Sequence, residues 1–152
     1  MDERPILICY DGSAHACRAI HAAADLFATR RAIILNVAPV LTAAESYAVM
    51  ASAASAADVE QLNTAQALHR ASEGVEHARA AGFEAEPRGV LAQPTWEGVV
   101  DVAGAVDAAV IVIGSRGLSG VRERFEGSLS HEVAQHSSRP VLIVPPLHEP
   151  HS

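Results

Sequence analysis

Five short apolar runs alternate along this chain with stretches of helical periodicity, and this alternation limits the folds that the chain can adopt. The runs are rich in valine and isoleucine, and they lie at 4–10, 32–37, 83–90, 109–113 and 140–146. Strands that are apolar on both faces are typical of a parallel sheet that is covered by helices on both sides. Because crossovers between parallel strands are right-handed, strand one is expected beside strand four. The sequence therefore predicts a doubly wound α/β fold with a five-stranded parallel sheet in the order 3-2-1-4-5.

The stretches between the strands predict four helices, which lie at 14–29, at 53–81, from Pro94 onward and at 127–137. Residues 40–52 show no clear period, and we expect a mobile loop there. Ser13 is suited to cap the first helix, and Gly82 is suited to end the second. There is no internal repeat and no linker, so residues 1–152 are expected to form a single domain with a flexible polar tail at 147–152.

A loop that contains several glycines follows the fourth apolar run. Its glycines are Gly114, Gly117, Gly120 and Gly127, and Ser128-Leu-Ser130 then opens a helix. Glycines let the backbone approach a ligand closely, and the N–H groups at a helix start favour an anion. The loop also carries three arginines, whereas the chain contains no lysine, which excludes a Walker A loop. We therefore expect the loop to bind phosphate through amides, hydroxyl groups and guanidinium groups.

Charge and hydropathy exclude several classes of partner. The formal net charge is −7 at pH 7, whereas nucleic acids and anionic membranes need a basic face. No apolar run approaches the roughly 20 residues of a membrane span, and no signal-peptide core follows Met1. We therefore expect a cytoplasmic protein that binds neither nucleic acid nor membrane. The two cysteines, Cys9 and Cys17, lack a metal-binding or redox spacing, and Cys9 is expected to be a small core residue.

Asp11 is a carboxylate that the predicted topology brings to the glycine loop. In a doubly wound sheet the winding direction changes between strands one and four, which leaves a crevice at their carboxyl ends. Asp11 follows strand one, and the glycine loop follows strand four. Asp11 suits a turn or a ligand contact, and the two roles are compatible. In the next helix, Cys17, His21 and Asp25 share one face, where a metal site is the alternative to a solvated flank.

The spacing of the glycines resembles a family signature. Gly114-Ser-Arg-Gly117, nine further residues and then Gly127-Ser128 is similar to the glycine signature of the universal stress protein family. Both ends of the chain resemble the family as well, because 6–13 is similar to its first strand and turn and 138–145 to its last strand. Three positions depart from the family's pattern without belonging to the phosphate signature, and they are Asn36, Ala92 and Ala109.

The resemblance implies an ATP-binding member of the family, with a Rossmann-like fold of the adenine nucleotide alpha hydrolase-like class. It implies that Asp11 meets the adenosine end of the nucleotide and that Val37 lines the adenine slot. The residues that it implies for the ribose and the phosphates are Gly114, Arg116, Gly117, Gly127, Ser128, Leu129 and Ser130. It also implies that Mg²⁺ accompanies ATP through the phosphates.

The glycine loop offers no evident catalytic group. Fast phosphoryl transfer needs a positioned base or a water-orienting residue, and serines and arginines do not supply one. We therefore expect a nucleotide-responsive stress regulator with slow or no hydrolysis, which acts on a regulatory protein partner of unknown identity. Two alternatives remain open: a weak ATPase or nucleotidyl transferase of the same fold, and a dimeric interaction module with a structural nucleotide. The resemblance also implies a homodimer that forms through the strand at 141–144.

Overall fold

The computed structural model of the protein describes residues 3–27, 30–52, 55–115 and 128–146, so the predicted tail at 147–152 lies outside the described residues. The strands are β1 (Ile6–Cys9), β2 (Arg31–Ala38), β3 (Glu84–Leu91), β4 (Val110–Gly114) and β5 (Val141–Val144). The helices are α1 (Ala14–Phe27), α2 (Ala43–Ala51), α3 (Ala56–Ala80), α4 (Thr95–Ala105) and α5 (Ser128–His136). Within these ranges, no helix combines the length and the apolar character that crossing a membrane requires.

The strands form one parallel sheet in the order β3-β2-β1-β4-β5, which confirms the predicted fold class. β1 lies at the centre, where Ile6 pairs with Ala32 of β2 on one side and with Val110 of β4 on the other. β3 and β5 pair in parallel with β2 and β4 and form the two edges. The winding direction changes between β1 and β4, and their carboxyl ends therefore border the expected crevice.

Helices cover both faces of the sheet, and each face has its own apolar core. On one face, Ile6 and Ile8 pack with residues of α1 and α3, and on the other face Leu7 packs with residues of α4 and α5. These three side chains are fully buried, and each stabilises the fold by about 1.5–3 kcal/mol through its removal from water. Burial on both faces explains why the strand is apolar at consecutive positions.

Helix α3 lies close to the sheet because glycines stand at the points of contact. A Cβ atom at Gly89 in β3 would lie 2.7 Å from the carbonyl carbon of Ala67, and one at Gly74 would lie 2.7 Å from Cγ2 of Ile34. Both distances are shorter than real Cβ contacts, so neither site accepts a side chain without a shift of its neighbours. Gly82 follows the helix with φ +106°, as expected for a residue that ends a helix.

The expectation of a loop at 40–52 is wrong, because Ala43–Ala51 forms helix α2. The Thr42 hydroxyl accepts a hydrogen bond from the Glu45 N–H at 3.1 Å, and the Thr42 N–H donates to the Glu45 carboxylate at 2.7 Å. This capping box starts a helix by local contacts alone. α2 buries none of its residues, so its sequence needs no apolar period. The absence of such a period therefore does not indicate a loop.

Candidate functional site

A crevice lies where β1, β2 and β4 end, beside the first turns of α1, α4 and α5. The residues that line it are Cys9, Tyr10, Asp11, Ala16, Leu35, Val37, Thr95, Val99, Ile113, Gly114 and Leu129. A concave site with a mostly apolar lining and a few polar groups is typical of small-molecule sites. The crevice also lies at the topological switch point, where the sheet topology predicts a ligand.

The crevice brings together four of the residues that were predicted to bind a nucleotide. Asp11, Val37, Gly114 and Leu129 all line it, although they come from distant parts of the chain. They lie after β1, near the end of β2, at the end of β4 and in the first turn of α5, in that order. Their convergence follows from the parallel sheet, whose strands all end at the same edge. Their contact with a ligand stays a prediction.

The other predicted residues are less well placed or lie outside the described residues. Ser130 is 5% exposed in the first turn of α5, and it is not among the described residues that line the crevice. Ser128 begins α5, but its side chain is outside the described part of the structure. Arg116, Gly117 and Gly127 also lie outside the described residues. Their predicted roles therefore stay predictions.

A turn after β1 holds Asp11 at the crevice. The Asp11 carboxylate accepts a hydrogen bond from the Ser13 N–H at 2.9 Å. Gly12 lies between them with φ +89°, a conformation that glycine adopts without strain. The Ser13 hydroxyl accepts from the Ala16 N–H at 3.1 Å and so caps α1, as predicted. Asp11 therefore stabilises the turn, and its carboxylate can also contact a ligand, because it has further acceptor positions.

Val37, near the end of β2, forms one wall of the crevice together with α4. A Cβ atom at Gly98 in α4 would lie 3.1 Å from Cγ1 of Val37 and 2.6 Å from Cβ of Ala92. Gly98 thus lets α4 pack directly on both residues. Ala92 departs from the family's pattern, and the glycine that faces it provides the space for its methyl group. The Ala92 N–H also donates to the Ala38 carbonyl at 3.0 Å, which continues the strand pairing to the entry of α4.

Asn36, a second departure from the family's pattern, has a structural role beside the crevice. It is 6% exposed, and its Nδ2 donates a hydrogen bond to the Tyr10 carbonyl at 2.8 Å. The Tyr10 N–H in turn donates to the Leu35 carbonyl at 2.8 Å. These bonds tie the end of β1 to β2 directly before Asp11, so they fix the position of the carboxylate.

Gly114 ends β4 against the first turn of α1. A Cβ atom at this position would lie 3.3 Å from the carbonyl oxygen of His15, which is tighter than nine in ten real Cβ contacts. The close packing of α1 on β4 therefore favours glycine here, independently of any ligand. Gly114 also lines the crevice, and because it has no side chain, its backbone is open to a ligand there.

Two of the lining residues, Cys9 and Tyr10, have side chains whose pKa values are raised. Burial raises the pKa of the Cys9 thiol from 9.0 to about 12, and the charge of Asp11 adds to this effect. Burial is also the main cause that raises the pKa of the Tyr10 hydroxyl to about 12, with contributions from Cys17, Glu73 and Asp11. At neutral pH both groups stay protonated. Cys9 is partly buried and packs against one of the two apolar cores, at a position where the sequence predicts a small core residue.

Sequence reasoning missed Thr95, which begins α4 and lines the crevice. The available signal was its position, because strand three ends at the same edge of the sheet as strand one, and Thr95 follows strand three by only a few residues. The next residue, Trp96, packs against α5. Its ring stacks on His136 of α5, with the centroids 4.0 Å apart and the planes at 17°, which joins α4 to α5.

Comparison with known proteins gives a consistent result. A model of the universal stress protein family matches residues 3–145. The universal stress protein YxiE of Bacillus subtilis (strain 168) is 42% identical to this chain over 69 residues, which are 45% of this chain and 46% of that protein. The match therefore spans about half the length of that relative.

Two solved structures are similar over nearly the whole chain. Hypothetical protein MJ0577 has a TM-score of 0.75 at 22% identity, with 98% of this chain and 100% of that chain covered, and this likeness shows the fold. A universal stress protein in complex with cAMP has a TM-score of 0.60 at 28% identity, with 95% of this chain and 98% of that chain covered.

Proposed function

Because this chain belongs to the universal stress protein family, we propose that it binds an adenine nucleotide in the crevice between β1 and β4. The observation that carries this proposal is that Asp11, Val37, Gly114 and Leu129 meet there, at the topological switch point. These are positions to which the resemblance assigns nucleotide contacts. The similar universal stress protein in complex with cAMP supports the same class of ligand.

The lining of the crevice suits a nucleoside. Leu35, Val37 and Val99 present apolar surface, against which a flat base loses water favourably. Asp11 supplies carboxylate oxygens, which accept hydrogen bonds from hydroxyl or amino groups. A base beside Val37 and a sugar near Asp11 is therefore the arrangement that we assign to the ligand.

We assign the phosphates to the start of α5 and to the glycine loop that precedes it. Leu129 lines the crevice in the first turn of α5, where backbone N–H groups have no partner within the helix and attract anions. ATP is the nucleotide that the glycine signature implies, with Mg²⁺ held through the phosphates. In the described ranges no group of three or more His, Cys, Asp or Glu side chains is placed to hold a metal ion by itself, and that includes the face with Cys17, His21 and Asp25.

The site favours binding over turnover. Among the described residues that line the crevice, Asp11 is the only one with a carboxylate, and we assign this carboxylate to the sugar and not to the phosphates. Efficient phosphoryl transfer needs a base or a water-orienting group that is free for the reaction. We therefore propose slow or no hydrolysis, so that bound ATP acts as a signal to a regulatory protein partner.

Calorimetry of the full chain with ATP and Mg²⁺ tests the proposal. We expect saturable binding to the wild type, loss of binding in Gly127→Trp, and wild-type affinity in the control Gly104→Ala, whose added Cβ meets no atom within 4 Å. Absence of binding at millimolar nucleotide overturns the proposal. Multiple turnovers per minute in a phosphate-release assay would instead support an enzyme.

We also propose that two copies pair through β5. This strand is at an edge of the sheet, and Ile143 in it is 40% exposed. An apolar edge strand invites pairing with its own copy across a two-fold axis. Sedimentation equilibrium is expected to show a dimer for the wild type and a monomer for Ile143→Lys. A monomeric wild type at tens of micromolar protein contradicts this proposal and leaves the one on nucleotide binding untouched.

A further inference from the structure

Thr95 is a polar residue in an otherwise apolar wall of the crevice. It begins α4 and is half-buried, and it lines the crevice together with Val99, four residues later. Three residues beyond, Val102 is buried in the core. Steps of four and three residues keep side chains on one side of a helix. Thr95 is therefore the point at which the sheet-facing side of α4 reaches the crevice.

Val37 lies next to this side of α4. Gly98 is the position at which the helix approaches Val37, because a Cβ atom there would be 3.1 Å from Cγ1 of Val37. Thr95 precedes Gly98 by three residues, and residues three apart are neighbours on a helix surface. Thr95 is thus on the Val37 side of the crevice, to which the proposed function assigns the base of the nucleotide.

The Thr95 hydroxyl is available to a ligand. α1, α2 and α3 begin after Ser13, Thr42 and Ser55, and each of these hydroxyls accepts a hydrogen bond from a backbone N–H of its helix. Pro94 precedes α4 and provides no such cap. In the part of the chain that the structure describes, the Thr95 hydroxyl has no hydrogen-bond partner. Every fully buried polar side-chain atom there has a partner, so the Thr95 hydroxyl is not fully buried. The hydroxyl therefore remains accessible, on a residue that borders the crevice.

The other polar residues of the lining are less suited to contact a base. The Cys9 thiol is protonated at neutral pH, and a thiol is a weak hydrogen-bonding group. Tyr10 packs in the core on the opposite face of the sheet, with α1 and α3. Asp11 is held in the turn between β1 and α1, and the proposed function assigns its carboxylate to the sugar. Among the described residues of the lining, Thr95 alone combines a neutral hydroxyl with a position beside Val37.

We propose that the Thr95 hydroxyl hydrogen-bonds to the base of the bound nucleotide and contributes to its recognition. A hydroxyl both donates and accepts, so it suits a base edge that carries an amino group beside a ring nitrogen. The inference rests on the proposed function, because it requires a base beside Val37. It adds a base contact that the glycine signature does not contain.

Calorimetry of Thr95→Val and Thr95→Ser in the full chain tests this inference. Valine keeps the shape of threonine and removes the hydroxyl, whereas serine keeps the hydroxyl. We expect the dissociation constant for AMP to rise roughly 5- to 30-fold in Thr95→Val and to stay within about twofold in Thr95→Ser. Ribose 5-phosphate, which has no base, is expected to bind both variants and the wild type equally in an NMR titration.

The possible outcomes separate the inference from the proposed function. If the wild type binds AMP and Thr95→Val binds it equally well, the inference is wrong and the proposed function stands. If Thr95→Ser is weakened as much as Thr95→Val, the methyl group and not the hydroxyl matters, and the inference is again wrong. If the wild type binds no adenine nucleotide, the proposed function fails and the inference falls with it. Matching thermal midpoints of the three proteins show that loss of affinity is not loss of fold.

Discussion

Substitution of Asp11 separates the turn role that the structure shows from the ligand role that we propose for the same side chain. The Asp11 carboxylate accepts a hydrogen bond from the Ser13 N–H at 2.9 Å, which holds the turn between β1 and α1. The proposed function gives the same carboxylate a contact with the nucleoside. Asp11→Asn keeps an oxygen acceptor for the turn and removes the charge, whereas Asp11→Ala removes both. The two variants are therefore expected to behave differently in stability and alike in binding.

The magnitudes follow from the kinds of bond that are lost. A hydrogen bond to a charged group contributes about 1.5–3 kcal/mol to stability, so Asp11→Ala is expected to lower the thermal midpoint by about 3–12 °C in a chain of this size. Asp11→Asn keeps a neutral acceptor for the same bond and is expected to lose clearly less. Hydrogen bonds to a charged group contribute about 1.5–3 kcal/mol, so both variants are expected to bind AMP roughly 10- to 150-fold more weakly.

Differential scanning calorimetry and titration calorimetry on the same samples measure both quantities. Ser13→Ala is the matched control, because it removes the cap of α1 but leaves the Asp11 carboxylate in place. It is expected to lose about 1 kcal/mol of stability and to keep its affinity for AMP. Wild-type affinity in Asp11→Asn would refute the ligand role of the carboxylate and leave Asp11 as a turn residue only.

Three further predictions concern the fold around the site. Gly89→Ala is expected to destabilise the protein by about 1–3 kcal/mol in urea unfolding, because its Cβ meets the backbone of α3. The control Gly104→Ala is expected to be neutral or to stabilise by up to about 1 kcal/mol. Equal urea midpoints of the two variants would contradict the close packing of α3 on β3. The pKa values of Cys9 and Tyr10 are raised to about 12, mainly by burial, so the stability that these groups contribute is present below about pH 9 and is lost as the pH rises toward 12. A thermal midpoint that stays constant or rises between about pH 9 and 12 would contradict this prediction. Thr42→Ala is expected to cost α2 about 1 kcal/mol and to speed hydrogen exchange in α2 alone, since α2 buries no residue; a loss of global stability would show that α2 packs on the core.

The sheet order and the meeting of Asp11 with Gly114 were predictable because few topologies bury such strands. A central strand that is apolar at Ile6, Leu7 and Ile8 must be covered on both faces, and right-handed crossovers then leave little choice. The ends of parallel strands lie at one edge, so residues after β1 and β4 meet without any knowledge of side-chain packing. This argument depends on apolar patterns alone, which the sequence displays directly.

The helix α2 and the position of Thr95 at the crevice were not predictable from the same patterns. α2 is set by the contact of Thr42 with Glu45, and a helix that buries nothing shows no apolar period. Thr95 is a single polar residue after a proline, and its place depends on how closely α4 packs on Val37. That distance is set by Gly98, whose role appears only when the facing residues are known.

The most direct test of the account is an NMR titration of the isotope-labelled chain with AMP and with ATP plus Mg²⁺. We predict saturable shifts of the amide signals of Asp11, Val37, Gly114 and Leu129, which line one crevice. The amide of Glu86, in the edge strand β3, is expected to stay unchanged. Absence of any shift at millimolar nucleotide, or shifts confined to residues away from the crevice, would contradict the claim that an adenine nucleotide binds there.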